Sequence, residues 1–180
     1  MKVVGICGSP RKGNSELLLR EVLKSVKDGG ADIELILLRG KHIEYCDGCT
    51  ECEESGECHK TDDMQEIYKK IESADGIVLA SPNYYDNVSG LMKSFIDRTL
   101  VYYNKRRAKK IKGKLGGIIA VGGGSSHEVV EKLKVFFSAY EIKLVGIVEA
   151  IAGKAGEVAK DKRALLAARG LGKEIVERLK

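Results

Sequence analysis

Apolar residues come along this chain in short continuous runs, separated by stretches in which they recur every three or four positions. Runs of the first kind are strands buried on both faces, and the recurring pattern is a helix with one covered face. Val3 to Cys7 reads as a strand ended by Gly8-Ser9-Pro10, and Ser15 to Lys27 carries Leu17, Leu18, Val22 and Val26 at helical spacing. Gly29-Gly30 stops that helix, and Ile33 to Leu38 forms a second strand. After a long irregular stretch come a helix from about Asp62 to Ser73, a strand Ile77 to Ala80, the turn Ser81 to Tyr85 and a helix near Ser89 to Val101. A strand Leu115 to Val121 runs into Gly122-Gly123-Gly124, which opens a helix through Tyr140; a strand Lys143 to Val148 and a helix from about Glu157 to Leu179 complete the pattern. Strands alternating with helices predict an α/β fold, a parallel sheet covered on both faces. Five such units suit a doubly wound order 2-1-3-4-5, and 180 residues suit one domain, 1–180.

Composition narrows the class. The chain is 43% hydrophobic, enough for a substantial core, yet its apolar runs stay far short of a bilayer span. No signal peptide opens it, so a cytoplasmic protein without disulfides is expected. A formal charge of +5 hides an uneven distribution. Glu44, Asp47, Glu51, Glu53, Glu54, Glu57, Asp62 and Asp63 crowd one segment, whereas Lys105, Arg106, Arg107, Lys109, Lys110, Lys112 and Lys114 form a basic run. With no aromatic platform or recognised module beside it, that run reads as solvated surface and not as a nucleic-acid site.

The acidic segment also holds Cys46, Cys49, Cys52 and Cys58, a C-x2-C-x2-C-x5-C array. A polynuclear iron-sulfur cube needs one thiolate at each of its corners, and two-residue gaps let a short loop, about 42–60, wrap most of them. Structural zinc more often uses two separated knuckles, so the spacing favours a cluster, with zinc or a metal-free thiol loop as alternatives. His59, beside Cys58, reads as an exposed bystander because four thiols already complete a set.

Gly8-Ser9-Pro10-Arg11-Lys12-Gly13-Asn14-Ser15 lies between a buried strand and a helix N-terminus, where backbone N–H groups and the macrodipole favour an anion. It nearly spells a nucleotide triphosphate loop, but Asn14 stands where the lysine belongs, and G-x-G-x-x-G is absent. Cys7 is followed by no arginine suited to phosphoryl transfer and reads as a small buried hydrophobe. Ser9, Arg11, Asn14 and Ser15 suit a terminal monophosphate held without chemistry. In an open parallel sheet, ligands lie across the carboxyl ends of the strands. That convergence adds Pro82, Asn83, Tyr84 and Tyr85, and the unhindered backbone of Gly122, Gly123 and Gly124, as partners for a planar heteroaromatic ring.

Gly8-Ser9-Pro10-Arg11-x-Gly13-Asn14-Ser15, Ser81-Pro82-x-Tyr84 and Ser89-Gly90-x-Met92-Lys93-x-Phe95-Ile96-Asp97-Arg98 together resemble the NADPH-dependent FMN reductase superfamily. The cysteine array brings the resemblance nearest to the iron-sulfur flavoproteins of anaerobic archaea and bacteria. It implies a flavodoxin-like fold, one FMN and one [4Fe-4S] cluster per subunit, and a homodimer or homotetramer with the two cofactors near a subunit interface. By position it assigns Ser9, Arg11, Asn14 and Ser15 to the FMN phosphate, Pro82, Asn83, Tyr84 and the glycine loop to the ring, and Asp97-Arg98 to pinning their own helix. The expected function is electron transfer between a reduced donor, ferredoxin or NAD(P)H, and an acceptor, with the basic run docking an acidic carrier. Two alternatives stand beside it: an NAD(P)H-dependent FMN or quinone reductase whose cysteines bind zinc or nothing, and a non-catalytic FMN carrier or sensor.

Overall fold

Strand β1 (Lys2–Cys7) sends Val4 and Ile6 to one face and Val3 and Cys7 to the other, and every one of these side chains is fully buried. A strand covered on both faces must sit inside a sheet. The computed structural model describes residues 1–180 and places β1 between β2 (Asp32–Leu37) and β3 (Gly76–Pro82), followed by β4 (Leu115–Gly122) and β5 (Lys143–Ile151). All neighbours are parallel, in the order β2-β1-β3-β4-β5 that the alternation of elements predicts. Helices α1 (Asn14–Asp28) and α7 (Lys162–Leu179) cover one face. On the other lie α3 (Met64–Ser73), α4 (Gly90–Arg98) and α6 (His127–Ala139). No helix is long and apolar enough to cross a membrane.

Several boundaries differ from the sequence reading. Helix α4 ends at Arg98 and tightens into a 3-10 turn over Thr99–Tyr103, followed by a four-residue α5 (Lys105–Ala108) capped by Asn104. The triple glycine stays outside α6, which begins at His127. The last helix starts at Lys162, because the Asp161 carboxylate accepts the Ala164 N–H and caps it there. A short helix α2 (Glu51–Ser55) interrupts the otherwise irregular cysteine segment.

The contact between α1 and α7 depends on one absent side chain. A Cβ on Gly172 would lie 2.5 Å from the Val22 carbonyl oxygen and 2.7 Å from Ser25 Cβ. Alanine would raise helix propensity by about 1 kcal/mol, but a collision with backbone forces the helices apart. Gly172→Ala is therefore expected to cost about 1–3 kcal/mol, read as a lower urea midpoint at unchanged slope.

Glu16 is a buried carboxylate in the first turn of α1, held by Arg39 at 2.6 Å and Arg20 at 2.8 Å. Burial alone would raise its pKa, but the two guanidinium hydrogen bonds outweigh it and hold the carboxyl below the ordinary range. A depressed folded-state pKa contributes stability that is complete above the unfolded value, about 4.3, and fades as pH falls through the folded value. Between about pH 5 and pH 3, the melting temperature of Glu16→Gln should accordingly fall less steeply than that of the wild type.

Candidate functional site

The loops after β1, β3, β4 and β5 meet at the carboxyl edge of the sheet around an open pocket of about 180 Å³. Ser9, Arg11, Asn14, Ser15, Pro82, Asn83, Tyr84, Gly122 and Gly123 line it, as the sequence reading expected, together with Val121, Ala152 and Gly153. The floor is tied by Ser89, whose hydroxyl donates to Gly8 O at 2.5 Å and accepts the Met92 N–H, capping α4. Close approach there requires Gly8, since a Cβ would stand 2.6 Å from Met92 Cβ, whereas Gly13 leaves room for one.

Two features of the pocket call for a ligand. No side chain caps the first turn of α1, so the positive end of that helix opens toward Ser9 and Ser15. Asn83 Oδ1 is buried without a donor, while its Nδ2 donates to Ser125 O at 2.8 Å. A phosphate suits the first and a ring N–H the second, so the residues fit a flavin mononucleotide. Other side chains are already engaged: Asn14 donates to Ala152 O and Lys154 O and accepts the Val158 N–H, and Arg11 donates to Gly153 O at 2.8 Å. Asn14 thus braces the loop after β5, whose Ala152-Gly153 carries no chemical signal in the sequence. Tyr85 and Gly124 do not line the pocket. Tyr85 and Asp86 have φ of 51° and 53° at the tip of a tight turn closed between Tyr84 and Asn87, which turns Tyr85 wholly into solvent.

All four cysteines of the array line a second, narrow cavity of about 20 Å³, with Arg98, Leu100 and Val101 as its inner wall. It opens toward solvent on the side of the partly exposed Cys46 and the exposed Cys49, while Cys52 is buried on α2. None is disulfide-bonded. Cys49 Sγ stands in a group with one ring nitrogen of His59 and one carboxylate oxygen of Asp47, the three atoms lying within 4.8 Å of one another. Burial first, then the neighbouring Cys58, Cys49 and Cys46, push the Cys52 thiol above its usual range. The soft donor set fits a polynuclear cluster, and it would equally suit zinc.

The cysteine segment is irregular but firmly held. Asp62 accepts the Glu44 and Met64 N–H groups, and Asn104 Nδ2 donates to Glu53 O and Glu54 O. Arg107 donates to Gly56 O, and Lys60 bridges Asp47 and Glu44. Lys60 draws the Asp47 pKa down to about 2. Arg98 does more than pin its own helix: its guanidinium reaches from the end of α4 to pair with Asp62 at 2.5 Å and to donate to Glu44 O, which ties the cysteine segment to that helix. His59 is exposed as expected, with its Nδ1 3.3 Å from Cys49 Sγ and its Nε2 3.3 Å from Asp47. The acidic crowd is also less free than its count suggests, because Asp62, Asp63, Glu44 and Asp47 each face a cation. Cys7 is buried as expected, its thiol pushed up to about 11 by burial.

A family model described as NADPH-dependent FMN reductase matches residues 1–157, which include the pocket and the cysteine cavity. The chain belongs to that family. Membership makes it a flavin-dependent oxidoreductase, in keeping with the loops that converge on Ser9, Asn83 and Gly122. An iron-sulfur flavoprotein of Methanocaldococcus jannaschii is 38% identical over 192 residues, spanning 100% of this chain and 98% of the relative. An iron-sulfur flavoprotein of Archaeoglobus fulgidus is 41% identical over 180 residues, or 98% of this chain and 80% of the relative. Among solved structures, a flavone reductase superposes with a TM-score of 0.76 at 25% identity, covering 98% of this chain; the chain spans 62% of that protein's length. An archaeal flavodoxin superposes with a TM-score of 0.69 at 18% identity over 99% of both chains, which shows the shared flavodoxin-like fold.

Proposed function

We propose that the chain is an electron-transfer flavoprotein holding FMN in the pocket at the sheet edge and a [4Fe-4S] cluster among Cys46, Cys49, Cys52 and Cys58. The observation that carries the reading is the gathering of all four thiols around one cavity in a chain that also has an uncapped helix end facing a polar pocket. Bound there, the flavin would exchange electron pairs with a donor or acceptor and the cluster would pass single electrons. The uncapped first turn of α1, with Ser9, Ser15 and Arg11, would hold the phosphate; Asn83 Oδ1 would accept from the ring, and the loop that starts at Gly123 would face its carbonyl edge. Tyr84 covers one side, while Asn14 braces the loop after β5. Helix α4 joins the two sites, its Ser89 end at the flavin loops and its Arg98 end at the cysteines. Its nine residues span about 13 Å along the helix axis.

For a partner we propose ferredoxin or a similar acidic carrier, with NAD(P)H as the alternative reductant. A groove beside Cys58 is lined by Lys69, Arg106, Arg107 and Lys110. Arg107 and Lys110 share Glu72, and Lys112 pairs with Glu141, but Lys105, Arg106 and Lys109 have no carboxylate partner. Long-range steering by such charges predicts a carrier rate that falls steeply with added salt. Assembly as a homodimer or homotetramer belongs to the same proposal. Anaerobic reductive titration tests it: uptake of about three electrons per chain fits one flavin and one cluster, and uptake of about two leaves a flavin alone.

A further inference from the structure

We propose that the Arg98 Nε–H is a hydrogen-bond donor to a sulfur of the cluster seated among Cys46, Cys49, Cys52 and Cys58, and that through this bond Arg98 sets the cluster's reduction potential. The inference rests on the cluster reading above.

Arginine has donors to spare, and here they can be accounted for atom by atom. The side chain is 0% exposed. Nη1 donates to Glu44 O at 2.9 Å and to Asp62 Oδ2 at 2.5 Å, and Nη2 donates to Asp62 Oδ1 at 3.2 Å. Nε is buried and has no partner. Holding the cysteine segment therefore occupies the fork of the guanidinium and leaves the Nε–H over. Buried donors of a charged group are seldom left unpaired, because desolvation is then uncompensated. Arg98 lines the same cavity as the four thiols, and beside it the side chains of Leu100 and Val101 accept nothing, while Val101 O takes the Asn104 N–H. Asp97, also on that wall, is engaged by Lys93. Thiolate and sulfide sulfur are the acceptors that chemistry would bring there.

The consequence follows from charge. Asp62 neutralises the guanidinium at hydrogen-bond distance, so Arg98 offers the cavity a directed N–H more than a net charge. Adding an electron to a cluster increases the negative charge on its sulfurs, so an N–H aimed at one of them stabilises the reduced form more than the oxidised form. Arg98 acts here as a positioning and tuning residue, and it counters part of the lowering that Glu51, Glu53, Glu54 and Glu57 would impose.

The test uses anaerobically purified whole protein. Wild type labelled with 15N-arginine, reduced and examined by pulsed EPR, should show a 15N coupling to the cluster, since Arg98 is the arginine that lines the cavity. Arg98→Lys should abolish that coupling and move the midpoint potential negative, by roughly the 59 mV that a tenfold change in a one-electron equilibrium represents. Asp62→Asn removes the ion pair but keeps the Nε–H, and should keep the coupling. A cluster that assembles in the wild type without 15N coupling, or one whose potential is the same in Arg98→Lys, overturns the proposal and leaves the cluster reading intact. Wild type that binds zinc or no metal overturns both. Should Arg98→Lys fail to fold, the wild-type coupling decides alone.

Discussion

Cys52→Ala is expected to remove the iron-sulfur cluster while leaving the flavin in place. Cys52 is the buried member of the array, on α2 at the floor of the cavity, where Asn104 fixes the helix end through Glu53 O and Glu54 O. Its three companions lie on irregular backbone and are more exposed, so no nearby thiol can take its place. Iron and acid-labile sulfide should fall from about four of each per chain toward background, and single-electron transfer should fall with them. Removing one small side chain from a partly open cavity leaves the fold standing, and the flavin pocket lies at the far end of α4. Full iron in the variant would place the cluster elsewhere.

Gly122→Ala is expected to abolish flavin binding while leaving the iron content unchanged. A Cβ at that position would stand 1.6 Å from Ser125 O and 2.6 Å from Ser125 C, both backbone atoms with no rotamer to escape into. The loop must rebuild, and with it the bonds from Asn83 Nδ2 to Ser125 O and from the Ala152 N–H to Gly122 O. Those contacts join the loops after β3, β4 and β5, so the pocket loses three walls together. An affinity loss of about a hundredfold or more, equivalent to about 2.8 kcal/mol, should appear in flavin fluorescence titration of the apoprotein. Unchanged affinity would mean that this loop does not meet the ring.

Much of this was legible because it rests on local pattern. The buried strands announce themselves as unbroken apolar runs such as Ile77 to Ala80 and Ile118 to Val121, and alternation with helices leaves few sheet orders open. The cysteine spacing and the loop after β1 carry chemistry in their residue types. What escaped depends on contacts distant in sequence. Ala152 and Gly153 enter the pocket only because Asn14 and Arg11 bond their carbonyl groups across the sheet edge. Tyr85 looks like a ring partner until the left-handed backbone of its turn sends it outward. Arg98 carries in the resemblance only the role of pinning its helix, yet it continues the buried stripe of Met92 and Phe95 at three-residue spacing, a sign that the arginine itself is inside.

The metal and flavin content of protein purified without oxygen is the most direct test of two redox centres on one chain. About four irons and four acid-labile sulfides, with one flavin per chain, is the predicted result. One zinc per chain without sulfide would contradict it.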